Sequence, residues 1–149
     1  MKKISAKASI QIQRPVHEVF QAIITPEGMS QFFIESSSGP LETNKSVTWK
    51  FPEFDDRFTV IGKEIRPNEY ISFDWSNNEP NMLVELFLIP QSDNSTVIKI
   101  IEHEMDKTDD GIVWMMRQTE GWANFLACLK ASLEYGINLR KGAFDFMKP

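Results

Sequence analysis

The chain has 149 residues, which is enough for one domain with a single hydrophobic core, and its 42% of hydrophobic and 25% of charged residues are typical of a folded globular protein. A net charge of −5 argues against nucleic acid as a partner, because phosphate backbones are bound by basic surfaces. A single cysteine excludes an intramolecular disulfide. Because no apolar segment follows the lysines at positions 2 and 3 and no apolar run is long enough to cross a membrane, we expect neither a signal peptide nor a membrane span. We therefore expect one cytoplasmic domain spanning residues 1–149.

The first third of the chain predicts a strand followed by two short helices. Residues 4–12 alternate between apolar and polar side chains, which indicates a strand with one buried face. Pro15 then precedes an apolar stripe with helical spacing, formed by Val16, Val19, Phe20 and Ile23. Thr25 followed by Pro26 is the start signal of a second short helix.

A run of strands joined by hairpins follows, over residues 46–51, 57–67, 69–75, 81–90 and 95–104. Pro67-Asn68 and the tetrapeptide at 91–94 are predicted turns. Alternation in these segments assigns one set of side chains to a shared inner face: Val47, Trp49, Phe51, Ile71, Phe73, Trp75, Val84, Leu86, Leu88, Ile98, Ile100 and Glu102. Consecutive antiparallel strands of this kind predict a curved sheet with an apolar concave face.

A long helix is predicted from about Thr108 to Gly136. Asp109 and Asp110 suit the positive end of its dipole, and Gly136 suits its C-terminal cap. Residues with helical spacing form one face of this helix, which we expect to cover the sheet: Trp114, Gln118, Gly121, Trp122, Phe125, Leu129 and Leu133. The fold class is therefore α+β, with an antiparallel sheet wrapped around a long C-terminal helix.

Gly121 is unusual because glycine inside a helix costs about 1 kcal/mol relative to alanine. Its spacing puts it on the buried side of the helix, where two explanations are open. A strand or loop backbone could approach the helix closely at this point. Alternatively, the missing side chain leaves space for a pocket with Trp122 and Phe125 as walls, in which Gln118 orients a polar group of a ligand.

Three segments carry a resemblance to a known family: residues 14–33, residues 64–75 and residues 121–136. The order of these segments resembles the bacterial proteins related to the activator of the heat-shock-protein-90 ATPase. Within them, the turn at residues 26–28, the Phe73/Trp75 pair and the Gly121-Trp122 pair match the usual positions of that family. That family belongs to the START-like, birch-pollen-allergen-like superfamily of helix-grip folds. The chain departs from the usual family pattern at Phe32-Phe33, where a tryptophan pair is common.

The resemblance implies a cavity between sheet and helix that binds apolar or aromatic small molecules. The family also includes relatives of polyketide cyclases and a eukaryotic co-chaperone domain. We therefore expect non-enzymatic binding of a small hydrophobic molecule; the alternatives are an enzyme of the cyclase, dehydratase or hydrolase type, or a module that binds a chaperone or forms a homodimer. The expected ligand-binding residues are Trp49, Phe73, Trp75, Ile98, Ile100, Glu102, Gln118, Gly121, Trp122 and Phe125.

Catalytic and metal chemistry have weaker signals in the sequence. Glu102 and Glu64 are the two carboxylates that could transfer a proton in such a cavity; otherwise each lies near a strand end, hydrated or paired with a cation. His17, His103 and Cys128 fall on three different elements without ligand spacing, so we expect neither a metal site nor a cofactor.

Overall fold

The structure of the protein, a computed structural model, describes residues 1–77, 79 and 81–149. Its elements in chain order are β1 (Lys3–Ile12), α1 (Val16–Ile24), α2 (Pro26–Met29), β2 (Ser36–Ser37), β3 (Ser46–Lys50), β4 (Arg57–Arg66), β5 (Tyr70–Asp74), β6 (Val84–Pro90), β7 (Thr96–Asp106), α3 (Asp109–Tyr135) and a 3₁₀ turn at Asp145–Met147. The two-residue strand β2 was not predicted from the sequence.

The seven strands form one antiparallel sheet in the order β1-β7-β6-β5-β4-β3-β2. Consecutive strands from β2 to β7 are neighbours. The first strand, β1, pairs with the last one, β7, so that Ala8 lies opposite Ile100. Helix α3 packs mainly against β1 and β7. This is the predicted helix-grip arrangement: an antiparallel sheet around a long C-terminal helix, with two short helices after the first strand.

The helix ends follow the predicted capping chemistry. The Thr25 hydroxyl accepts a hydrogen bond from the backbone N–H of Gly28 at 3.0 Å, and the Thr108 hydroxyl accepts one from Gly111 at 3.0 Å. Gly136 ends α3 in the left-handed conformation, with φ of 64°. The predicted bounds of the long helix are therefore confirmed to within one residue.

The inner face of the sheet also follows the predicted alternation. Ile98, Ile100 and Glu102 of β7 are almost completely buried, whereas Lys99 between them is exposed. Asn68 and Asn94 adopt positive φ values of 63° and 64° in the turns before β5 and β7, as the predicted hairpins require. None of the described helices combines the length and the hydropathy needed to cross a membrane.

Gly62 in β4 allows the loop at residues 42–45 to lie against the sheet. Its N–H donates to the carbonyl of Lys45 at 2.8 Å, and its carbonyl accepts from the N–H of Asn44 at 2.9 Å. A Cβ atom added at Gly62 would collide with the backbone carbonyl of Glu42, whereas one added at Gly39 would meet its nearest atom, in Val47, at 3.9 Å. Glycine is therefore required at Gly62 for close packing of two backbone segments.

We expect Gly62→Ala to lower the free energy of unfolding by about 1–3 kcal/mol or more, because the rigid loop backbone cannot yield to a methyl group. Gly39→Ala is the matched control and should change it by less than about 0.5 kcal/mol. Urea unfolding of both variants measures this difference. Equal stability of the two variants would contradict the close approach.

Candidate functional site

A pocket of about 560 Å³ lies between α3, the loop that follows β3, the end of β5 and the C-terminal residues. Eight of its fifteen lining residues are aromatic: Phe33, Phe51, Phe54, Phe58, Trp75, Trp122, Phe144 and Phe146. The others are Arg117, Gln118, Glu120, Gly121, Asn124, Arg140 and Met147. The volume and the predominance of aromatic side chains are those of a site for a small, mainly apolar molecule.

The pocket contains four of the ten residues that the sequence assigned to the binding site: Trp75, Gln118, Gly121 and Trp122. The other six are buried behind it and do not line it: Trp49, Phe73, Ile98, Ile100, Glu102 and Phe125. The expected enclosed cavity between sheet and helix is thus replaced by a pocket at the margin of the packed interior, partly open to solvent.

Phe33 explains this difference. Its ring lies in the interior of the protein, with its centroid 5.7 Å from that of Trp49, 4.8 Å from that of Phe125 and 6.3 Å from that of Trp122. Phe32 beside it packs edge-on against Phe125, with centroids 5.1 Å apart. These two side chains follow α2 and fill the space where the sequence placed a ligand, and the pocket lies beside them, against residues 117–124 of α3.

Gly121 lies on the same helix face as Phe125, yet it is exposed, contrary to the prediction that it is buried. The reason is that the pocket, and not another protein segment, lies opposite this turn of the helix. A Cβ atom added at Gly121 would meet no atom within 4 Å. Close backbone packing is therefore wrong as the explanation for this glycine, and the free space in front of it belongs to the pocket.

Glu102 connects the pocket wall to the sheet. Its side chain is almost completely buried and accepts three hydrogen bonds, from Trp75 Nε1 to Oε2 at 2.9 Å and from Gln118 Nε2 and Trp122 Nε1 to Oε1, both at 2.8 Å. All three donors are neutral, so neither of the predicted environments, hydration near the cavity mouth or pairing with lysine or arginine, is found. The carboxylate replaces its lost water with these N–H groups.

The two tryptophans bound to Glu102 form the floor of the pocket. Their ring centroids are 5.3 Å apart and their planes are inclined by 30°. One carboxylate accepts hydrogen bonds from both indole nitrogens, and this fixes the orientation of the two rings. The polar N–H edge of each ring faces Glu102, and the apolar ring faces are left to form the floor of the pocket. Glu102 is therefore a positioning residue that orients the pocket wall without lining the pocket.

The other predicted polar residues lie elsewhere. Glu64 is at the surface and pairs with Arg66 at 2.9 Å, so it does not enter the pocket. His103 lies on the outer face of the sheet, where its Nε2 is 2.7 Å from Glu85 Oε1. Cys128 is buried, and this burial raises the pKa of its thiol although the charge of Arg140 acts in the opposite direction. No group of three potential metal-binding side chains occurs within residues 1–77, 79 and 81–149.

The outer wall of the pocket is a segment that the sequence analysis did not assign, residues 137–149, here called the C-terminal strap. Arg140 attaches it to the domain through an ion pair with Glu53, with Nη2 and Oε1 2.7 Å apart and the two side chains 16% and 2% exposed. The guanidinium also lies over the rings of Phe51 and Phe144, at 5.2 and 4.8 Å from their centroids. The strap has no helical or alternating pattern, and its only sequence signal is the concentration of aromatic residues after Gly142.

We expect Glu102→Gln to reduce the free energy of unfolding by about 1–3 kcal/mol, because the new amide NH₂ faces an N–H donor and leaves buried groups without a partner. Glu64→Gln removes a carboxylate from a surface ion pair and should cost less than about 1 kcal/mol. Urea unfolding, with the indole N–H NMR signals of Trp75 and Trp122 as local reporters, checks both. Unchanged stability and indole shifts in Glu102→Gln would show that the three hydrogen bonds do not form.

Arg140→Met should cost about 3–5 kcal/mol, because it leaves the carboxylate of Glu53 buried without a cation. Replacing Glu53 as well, in the double variant Arg140→Met/Glu53→Met, should recover most of this loss since no charge remains buried. Thermal and urea unfolding of the single and double variants measure the coupling. If Arg140→Met alone lowered the free energy of unfolding by less than about 1 kcal/mol, the range of an exposed ion pair, the anchoring role of Arg140 would be contradicted.

Known proteins with similar sequences and structures support the same fold. The sequence model of the family described as Activator of Hsp90 ATPase homolog 1-like protein matches residues 13–134. A search of curated protein sequences gave no match. The family match covers strands β2 to β7, Glu102, Gln118, Gly121 and Trp122; it begins after β1 and ends before the strap.

Solved structures of similar proteins have the same architecture. The protein SSP2350 from Staphylococcus saprophyticus is 26% identical, with a TM-score of 0.82 over 92% of this chain and 96% of that one. The Aha1 protein from Colwellia psychrerythraea, solved as a dimer, is 20% identical, with a TM-score of 0.76 over 89% and 98% of the two chains. DynU16, a protein of the dynemicin biosynthetic locus, is 22% identical, with a TM-score of 0.77 over 89% of this chain and 48% of its own. From the family match over residues 13–134, we conclude that the chain belongs to the Activator of Hsp90 ATPase homolog 1-like family.

Proposed function

We propose that the protein binds a small hydrophobic, mainly aromatic molecule in the pocket beside Gly121 and does not convert it chemically. The observation that carries this proposal is a volume of about 560 Å³ walled by eight aromatic side chains, with free space in front of a helical glycine. Stacked and edge-on contacts with aromatic rings favour flat apolar molecules. The sequence prediction of an apolar ligand is retained, with its location moved to this pocket.

Binding without conversion is supported by the positions of the carboxylates. Glu102 is engaged by three N–H donors behind the wall, and Glu64 lies at the surface with Arg66. A proton-transferring group must reach the reacting atoms of a bound substrate. Neither of these two carboxylates is among the residues that line the pocket, and the one that is, Glu120, is an exposed residue of α3. Binding of a chaperone and formation of a homodimer stay predictions that derive from the family relationship.

The exposure of the pocket wall is consistent with a ligand that covers it. Phe146 is 83% exposed, Phe58 is 40% exposed and Met147 is 50% exposed, although all three line the same opening. A flat apolar molecule between the strap and α3 would remove these side chains from water, which favours binding by roughly 25 cal/mol for each Å² of apolar surface buried.

Gly121→Leu tests the site directly. The leucine side chain should occupy the space in front of the helix and abolish saturable binding of naphthalene-type probes. The protein should stay folded, because a Cβ atom at this position meets no atom within 4 Å. Gly121→Ala should raise stability by up to about 1 kcal/mol, the difference in helix propensity, and only reduce the pocket slightly. Isothermal titration calorimetry and thermal melts measure the two effects.

The matched control is Ala123→Leu, which adds the same side chain at an exposed position of α3 that does not line the pocket. It should leave binding unchanged. A folded Gly121→Leu variant that binds the probes as well as the Ala123→Leu variant would overturn the proposed site.

A further inference from the structure

Three hydrogen-bond donors at the floor of the pocket are directed to Glu102. The indole N–H groups of Trp75 and Trp122 donate to its carboxylate, and so does the side-chain NH₂ of Gln118. These three side chains line the pocket, and the two indole N–H groups and one N–H of the Gln118 amide point to Glu102 instead of into it. The second N–H of this amide is not used in the bond to Glu102. A ligand that contacts the floor therefore meets two aromatic ring faces and the remaining atoms of one amide.

The orientation of this amide is determined by its partner. A carboxylate only accepts hydrogen bonds, so the side-chain nitrogen of Gln118 must face Glu102, and exchanging its nitrogen and oxygen would place two acceptors 2.8 Å apart. The Oε1 atom then points away from Glu102. It has no protein donor among the described residues and is not one of their buried unpaired atoms, so it is available as an acceptor on the pocket side.

Three other polar side chains of the wall are charged. Arg140 is bound to Glu53 and covers the rings of the strap. Arg117 and Glu120 are exposed residues of α3, with opposite charges, at the rim of the pocket. The Oε1 atom of Gln118 is thus a neutral acceptor of fixed orientation beside the aromatic floor.

From this geometry we infer, on the basis of the proposed function, that the ligand is an aromatic molecule carrying a hydrogen-bond donor, such as a phenolic hydroxyl or a ring N–H, which donates to Gln118 Oε1. An aromatic molecule of the same size that only accepts hydrogen bonds cannot use this acceptor. An aromatic carboxylate would bring its charge toward an acceptor and close to buried Glu102. Both should bind more weakly than the donor.

Three naphthalene derivatives distinguish these cases: 2-naphthol carries the donor, 2-methoxynaphthalene only accepts, and 2-naphthoate is the anion. Binding to the full chain is followed by NMR through the indole N–H signals of Trp75 and Trp122, which report both affinity and location. We expect 2-naphthol to bind more tightly than 2-methoxynaphthalene by about fivefold, the factor that one hydrogen bond of ordinary strength supplies. We expect 2-naphthoate to bind more weakly than either.

Gln118→Met removes the acceptor and keeps an unbranched side chain of similar length, and it should bind 2-naphthol and 2-methoxynaphthalene equally. Ala123→Met places the same side chain at an exposed position of α3 that does not line the pocket, and it should keep the preference. A preference that survives in Gln118→Met, or a wild-type protein that binds 2-methoxynaphthalene or 2-naphthoate at least as tightly as 2-naphthol, overturns the inference while leaving the binding function intact. If no probe shifts the indole signals of the wild-type protein, the proposed function fails and the inference with it. The wild-type comparison remains decisive even if Gln118→Met does not fold.

Discussion

A carboxylate that has lost almost all of its water must recover its hydrogen bonds from the protein, and at Glu102 three side chains from two other parts of the chain provide them. Trp75 follows β5, whereas Gln118 and Trp122 belong to α3, so the interaction connects the sheet to the helix. It also decides the chemistry of the pocket. Since the indole N–H groups of its floor point to the carboxylate, the floor presents mainly ring faces, and a group that connects sheet and helix also determines the surface that the pocket offers.

Much of this architecture could be predicted because it depends on local patterns. The alternation along β7 placed Glu102 on the inner face, and the capping residues Thr108 and Gly136 defined α3 to within one residue. The partners of Glu102 were not predictable in the same way. Whether an inward carboxylate meets water, a cation or neutral N–H groups depends on how the end of β5 and one turn of α3 meet in space, and neither segment alone contains that information.

The position of the pocket was also beyond local patterns. Periodicity indicates which side of an element faces inward, but it does not indicate what fills the space opposite. Phe32 and Phe33 follow the very short helix α2, and their rings occupy the interior that the sequence left for a ligand. Gly121 accordingly lies on the expected helix face and yet is exposed. The C-terminal strap has no periodic pattern, so its contribution to the pocket became visible only through its contacts with Glu53 and the aromatic rings.

The strap has a consequence for how such a binding site can diversify. The strap contains neither a strand nor a long helix, and Arg140 attaches it to the domain. It lies outside residues 13–134, where the chain matches its family. Substitutions at Phe144, Phe146 or Met147 would alter the outer wall of the pocket while the sheet, α3 and the Glu102 hydrogen bonds are maintained. Under the proposed function, changes in this short terminal segment would therefore alter the ligand preference of the pocket at little risk to folding.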